Sequence, residues 1–153
     1  MDTEDEKIII EEIKPIINGM GYELVEVKVG KSKNLDDITV VIYKEGGVSL
    51  NNCADVSRNI KLQLELLEEF ENISLKVASP GIDRVIRKKE EYRIFKGKGI
   101  KVLLMETSDW TGGIIENFHE DKLLLKSKDK MIDIDINRVK KAKLDYTEEV
   151  KNR

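Results

Sequence analysis

Few residues in this chain are of types that do chemistry, and most stand without the neighbours that chemistry needs. "DIDI" sets Asp133 and Asp135 two residues apart, which on a strand puts both carboxylates on one face roughly 7 Å apart. Such a pair could hold a divalent metal or set a general acid against a base. The simpler reading is the wet face of a strand whose isoleucines turn inward, and it is preferred. His119, the one histidine, lies in the turn sequence "FHED" with no serine or cysteine arranged beside it as a triad would require. Cys53, the one cysteine, falls on an apolar helical face without a basic activator close in sequence, so it reads as core. "GKG" at 97–99 lacks the spacing and the Ser or Thr of a phosphate-binding loop. One histidine and one cysteine also fall short of a zinc site. These residues imply no catalytic group, no resident metal and no cofactor.

The exception is "VASPGIDRVIRKKEEYR" at 77–93. From Arg84 to Lys101, eight of eighteen residues are Lys or Arg and only Glu90 and Glu91 oppose them, a local +6 in a chain of net −3. Arg and Lys dominate contacts to phosphate, so Arg84, Arg87, Lys88, Lys89, Arg93 and Lys96 are candidate phosphate ligands. Arg84 ranks below the lysines because Asp83 or a helix end could take its charge. Pro80-Gly81 predicts a type II turn, with Pro presetting φ and Gly supplying the positive φ, and Pro80, Gly81 and Asp83 are read as its structural residues. Presenting charge from a rigid turn lowers the entropy cost of binding. Tyr92 and Phe95, three apart, are expected to pack rather than stack on bases.

The elements around this run are set by periodicity. "TEDEKIII" carries a capping box at Thr3 and Glu6, and Ile9, Ile13, Ile16 and Ile17 keep helical spacing. Pro15 predicts a kink or restart. "YELVEVKVG" alternates, with Val25, Val27 and Val29 assigned to one face, and pairs with "ITVVIYK" as an antiparallel hairpin. Ser49 caps a second helix whose apolar face runs from Leu50 to Leu67, and "ISLKVA" is a third strand. After the short helix "KKEEYRIFKG" come five strands about ten residues apart: "GIKVLLM", "GIIENF", "KLLLKS", "MIDIDI" and "KKAKLDY". The fold class predicted is α+β: an N-terminal α-β-β-α-β domain over residues 1–96, then a small SH3- or Sm-like β-barrel over 97–153. "TEEVKNR" reads as a frayed tail.

Composition sets the outer bounds. At 153 residues, 40% hydrophobic and 37% charged, the chain suits one ordinary domain or two small ones. No apolar run approaches the roughly 18 residues that cross a bilayer, and the acidic start "MDTEDEK" is unlike a signal peptide. A lone cysteine fits a reducing cytosol, so a cytoplasmic protein with no membrane contact is expected. Residues 1–96 hold 15 basic and 19 acidic side chains, whereas 97–153 hold 12 and 11. An acidic first part suits a basic partner or plain solubility.

Taken together, "SLKVASPGIDR" and "FKGKGIKV" resemble the signature of the ribosome maturation factor RimP family. The resemblance extends through "GYELVEVKV", "VSLNNCADVSRNI", "GGIIENFHEDKLLLK" and "IDINRVKKAKL", covering nearly the whole chain in order. Two positions depart from many relatives: Val85-Ile86 and Asp135-Ile136 stand where those have prolines. The resemblance implies an α/β domain with an SH3-like barrel, and a non-enzymatic factor acting on the immature small ribosomal subunit. It also implies partners in rRNA and in a basic ribosomal protein near the decoding centre. The basic run then becomes a clamp on rRNA phosphates, and Asp133 and Asp135 suit the ribosomal protein. A monomer is expected. Two other classes stay open: a general small-barrel RNA-binding module, and a metal-dependent hydrolase using Asp133 and Asp135.

Overall fold

Thr3 and Ser49 each start a long helix in the same way. Their hydroxyls accept the amides of Glu6 (3.1 Å) and Asn52 (3.0 Å), while Glu6 and Asn52 reach back to the cap amides at 3.0 and 2.9 Å. Two donors that helix geometry orphans are thereby satisfied at each end. The computed structural model describes residues 2–152, and its contacts divide the chain into two units, Met1–Pro80 and Gly81–Arg153.

The first unit contains α1 (Glu4–Gly19), β1 (Glu23–Ser32), β2 (Leu35–Tyr43), α2 (Leu50–Glu65) and β3 (Ile73–Ala78). Its sheet runs β1-β2-β3, antiparallel across the first pair and parallel across the second, with α2 as the crossover that parallel pairing needs. Ile9, Ile13 and Ile17 of α1 and Cys53, Val56, Ile60 and Leu64 of α2 share one core with Val27, Ile38, Val40 and Ile42 of the sheet. Truncating one of the fully buried isoleucines to alanine would cost roughly 2–5 kcal/mol. Helix α1 does not restart at Pro15 but runs through it, with Pro15 on the exposed face where water can serve the freed carbonyl. The single face expected for Val25, Val27 and Val29 fails. Strand β1 carries a bulge between Leu24 and Glu26, so Val25 is the extra residue and the faces exchange there. Leu24, Val27 and Val29 pack on the helical core, and Val25 is buried outside it.

The second unit contains α3 (Glu90–Ile94), β4 (Gly99–Leu104), β5 (Trp110–His119), β6 (Lys122–Ser127), β7 (Lys130–Asp135), a 3-10 turn Ile136–Arg138, β8 (Val139–Leu144) and α4 (Tyr146–Lys151). The five strands form one antiparallel sheet in the order β7-β6-β5-β4-β8. Among the described residues β7 and β8 share no ladder, so the sheet is open where a closed barrel was expected. Ile100, Val102, Ile115, Leu123, Leu125 and Ile134 alternate onto one face and are almost wholly buried there, as are Phe95 and Tyr92 beside α3.

Residues 81–96 hydrogen-bond within this second unit. Ile86 donates to the Ala142 carbonyl and Leu144 to that of Arg84, both at 2.9 Å, and Val85 bridges Lys143. The change of periodicity near residue 97 marks where regular strands resume, not where contacts divide. Residues 146–151 are also built: α4 packs on β4 and β5 instead of fraying. It can approach because Gly99 and Gly112 have no side chains. A Cβ at Gly99 would collide with the Asp145 carbonyl and lie 2.8 Å from the Glu149 amide. Buried Asn152 then accepts from the Lys128 amide and donates to the Glu148 carbonyl at 2.7 Å.

Candidate nucleic-acid interface

The turn that introduces the basic run sits two residues later than its sequence suggests. The Arg84 amide donates to the Gly81 carbonyl at 3.2 Å, so Ile82 and Asp83 are the central pair and Gly81 is the first residue. Gly81 is not among the glycines with positive φ, and a Cβ there would meet only Asp83 Oδ1, at 3.5 Å. The type II turn centred on Pro80 and Gly81 is therefore replaced by a turn over Gly81–Arg84. Pro80 ends the first unit, and Asp83 occupies a turn centre.

Glu91 organises the segment beyond the turn. Its Oε1 accepts from Arg84 Nε at 2.7 Å, and its Oε2 accepts from the backbone amides of Arg87 and Lys88, both at 3.1 Å. Both side chains are buried, Arg84 at 9% and Glu91 at 1% exposure. No hydroxyl or amide side chain caps α3, and Glu91 serves instead the amides just upstream. Arg84 is thus committed to the interior and drops out of the exposed set. A buried pair of this kind confers geometry more reliably than net stability. What it holds in place is the backbone from Arg84 to Lys88.

The remaining basic residues lie outside that hub. Arg87, Lys89, Arg93 and Lys96 are exposed, and Lys88 is half-buried. Lys89, Arg93 and Lys96 recur at four- and three-residue spacing, and Lys89 Nζ lies 3.2 Å from Asp121. At the surface such a pair contributes little and yields readily to a phosphate. Tyr92 and Phe95 are buried, with the Tyr92 ring 5.4 Å from that of Phe118. Burial pushes the Tyr92 phenol up to about 12, and the neighbouring Glu91 carboxylate pushes the same way. These rings anchor the segment and offer no face to a base.

The two aspartates part company. Asp133 is exposed, opposite Leu124 on the outer face of the β6–β7 hairpin. Asp135 accepts from the Asn137 amide at 3.0 Å and faces Lys122 at 3.4 Å; the amide first, then the lysine, holds its carboxyl below the usual range. Asp135 therefore caps the 3-10 turn. Among the described residues, no group of three or more His, Cys, Asp or Glu is placed to hold a metal ion. His119 is exposed beside Glu120 at 3.6 Å, and burial pushes the Cys53 thiol up, which suits a core residue more than a nucleophile. No helix among the described residues is long and apolar enough to cross a membrane.

Sequence reasoning missed two residues. Glu91 looked like a mere counter-charge within the run, and nothing in the linear spacing marks it as the hub. Trp110, the one tryptophan, is 41% exposed. Lys101 Nζ lies 5.1 Å and Lys143 Nζ 5.8 Å from its ring centroid. Its singularity in a chain poor in aromatics was the available signal.

Comparison with known proteins gives a uniform result. Residues 12–83 match the RimP N-terminal domain, a match that ends within three residues of the division after Pro80. The chain is 32% identical over 140 residues to the ribosome maturation factor RimP of Borrelia recurrentis, covering 92% of this chain and 96% of that one. It is 33% identical over 132 residues to the protein of that name in Borrelia turicatae, covering 86% and 90%. The Borrelia hermsii counterpart is 31% identical over the same length.

Proposed function

The chain belongs to the ribosome maturation factor RimP family, and from that membership we propose a non-enzymatic factor that binds immature small ribosomal subunits during their assembly. The basic segment grips rRNA phosphates without reading bases. The observation that carries this reading is the Glu91 hub, which fixes the backbone at Arg87 and Lys88 while Arg87, Lys89, Arg93 and Lys96 stay at the surface. A held backbone with exposed cationic side chains suits a backbone-positioning contact. It needs no donor pattern matched to a base edge.

The basic ribosomal protein near the decoding centre is assigned to the first unit, with exposed Asp133 a secondary contact. The first unit carries nine basic and sixteen acidic side chains, net −7. Asp135, by contrast, already has Lys122 as counter-charge. Complementary charge of this size acts chiefly on the rate of encounter.

Reversing Arg87, Lys89 and Arg93 to glutamate tests the clamp. Binding to immature small subunits, titrated at several salt concentrations, should weaken with a shallower salt dependence, each lost contact removing up to about 0.7–0.9 of slope. The melting curve should not move. Unchanged affinity and slope would return the run to a solvated face. Equal affinity of the unmodified protein for protein-free single strands would favour a general RNA-binding module.

A further inference from the structure

The row Gly112, Lys101, Lys143, Val85 crosses β5, β4, β8 and the segment that opens the basic run. Directly opposed residues on paired strands share a face, so Lys101 and Lys143 stand side by side on it, and Trp110 reaches both ammonium groups from two rungs away, opposite Leu103. Like charges directly opposed across two strands are destabilising. Among the described residues neither lysine has an ion-pair partner. Two carboxylates lie near the row: Asp145, whose carboxyl Thr147 first and Lys101 more weakly hold below the usual range, and Glu148, which lies over Gly112 opposite Lys101 and is itself met by Lys151 at 3.6 Å and by Asn152 Nδ2 at 3.3 Å. Two lysines thus converge over one exposed indole with no ion pair of their own.

We propose that this face holds an unpaired nucleotide of single-stranded RNA, its base stacked on Trp110 and its flanking phosphates held by Lys101 and Lys143. The inference rests on the rRNA-binding reading above and names a second contact for it. Every base has a π-face, and recognition of single strands commonly joins an aromatic platform to a cationic track. Stacking of a base on an aromatic ring is worth more than an exposed cation–π contact, so a base can displace the ammonium groups, which then move to phosphate. The occupant is committed to nucleic acid by charge. The second unit carries eighteen basic and fourteen acidic side chains, net +4, and the patch adjoins Arg84–Ile86, which pairs with β8.

Because Trp110 is the sole tryptophan, its fluorescence reports this face alone. A short uridine-rich RNA strand should quench it in the intact protein, whereas a blunt RNA duplex and inorganic polyphosphate should not. By anisotropy of the labelled strand, Trp110→Ala should weaken binding roughly 5- to 100-fold, with Trp110→Phe close to the parent, and Lys101→Glu with Lys143→Glu should weaken it with a shallower salt dependence. The phenylalanine variant keeps the test valid if the alanine variant melts early. Equal quenching by polyphosphate, no quenching by the strand, or loss of ribosomal-protein capture without loss of RNA binding in Trp110→Ala would each overturn the proposal. Binding of the parent protein to immature subunits is measured alongside. If it persists while the strand leaves Trp110 unquenched, only this inference falls; if it is absent, the rRNA reading falls first.

Discussion

One carboxylate decides the character of the basic segment. Glu91 takes Arg84 Nε on one oxygen and two amides on the other, so its loss would strand a buried guanidinium and two backbone donors together. Glu91→Gln should destabilise the second unit by about 3–5 kcal/mol, the range for removing one partner of a buried pair, measured by urea unfolding. Arg84→Met combined with Glu91→Leu should recover part of that loss, because no charge is then buried alone. Stability of the single variant within about 0.5 kcal/mol of the parent would mean that water already serves the site. The sequence set Arg84 apart from the lysines but offered Asp83 or a helix end as its partner, not Glu91. Placing that guanidinium inside and the other five basic residues outside needs the turn over Gly81–Arg84. The expectation that Tyr92 and Phe95 pack did come through, since large rings beside an apolar sheet face have few other places to go.

Among elements, most were legible, the short helix α3 included. A capping box at Thr3, an N-cap at Ser49 and apolar spacing placed both long helices; alternation placed β1 and β2, and short apolar runs between turn residues placed the other strands. The bulge at Val25 escaped because an inserted residue leaves the alternation intact on either side. Helix α4 escaped because six residues hold too little apolar pattern to register; its place is set by what β4 and β5 lack. Two glycines separate these cases. Gly99→Ala should cost roughly 1–3 kcal/mol, since Asp145 and Glu149 oppose the new methyl with backbone atoms that must shift. Gly81→Ala should be neutral or raise stability by about 0.4–1 kcal/mol by narrowing the unfolded ensemble. Thermal melting of both compares them, and a larger drop for Gly81 would restore a strained turn at Pro80-Gly81.

At the scale of the molecule, charge and contacts divide together. Split after Pro80, the chain separates into net −7 and net +4, whereas a split at residue 96 blurs this to −4 and +1. The division of contacts after Pro80 precedes the change of periodicity near residue 97, because the irregular stretch 84–86 pairs with β8 through backbone bonds that no side-chain pattern advertises. Limited proteolysis should therefore cut near residues 79–83, and the two fragments should bind opposite ion exchangers at neutral pH. A first cut at 95–98 would restore the boundary that periodicity suggested. The pairing of Val85 with Lys143 also fixes an order of events during synthesis. Arg84–Ile86 leaves the ribosome well before its partner β8 (Val139–Leu144) does. Contacts so distant in sequence close late. The basic segment is completed only after β8 has been made, so a chain that stops short of β8 carries the charges without the shape.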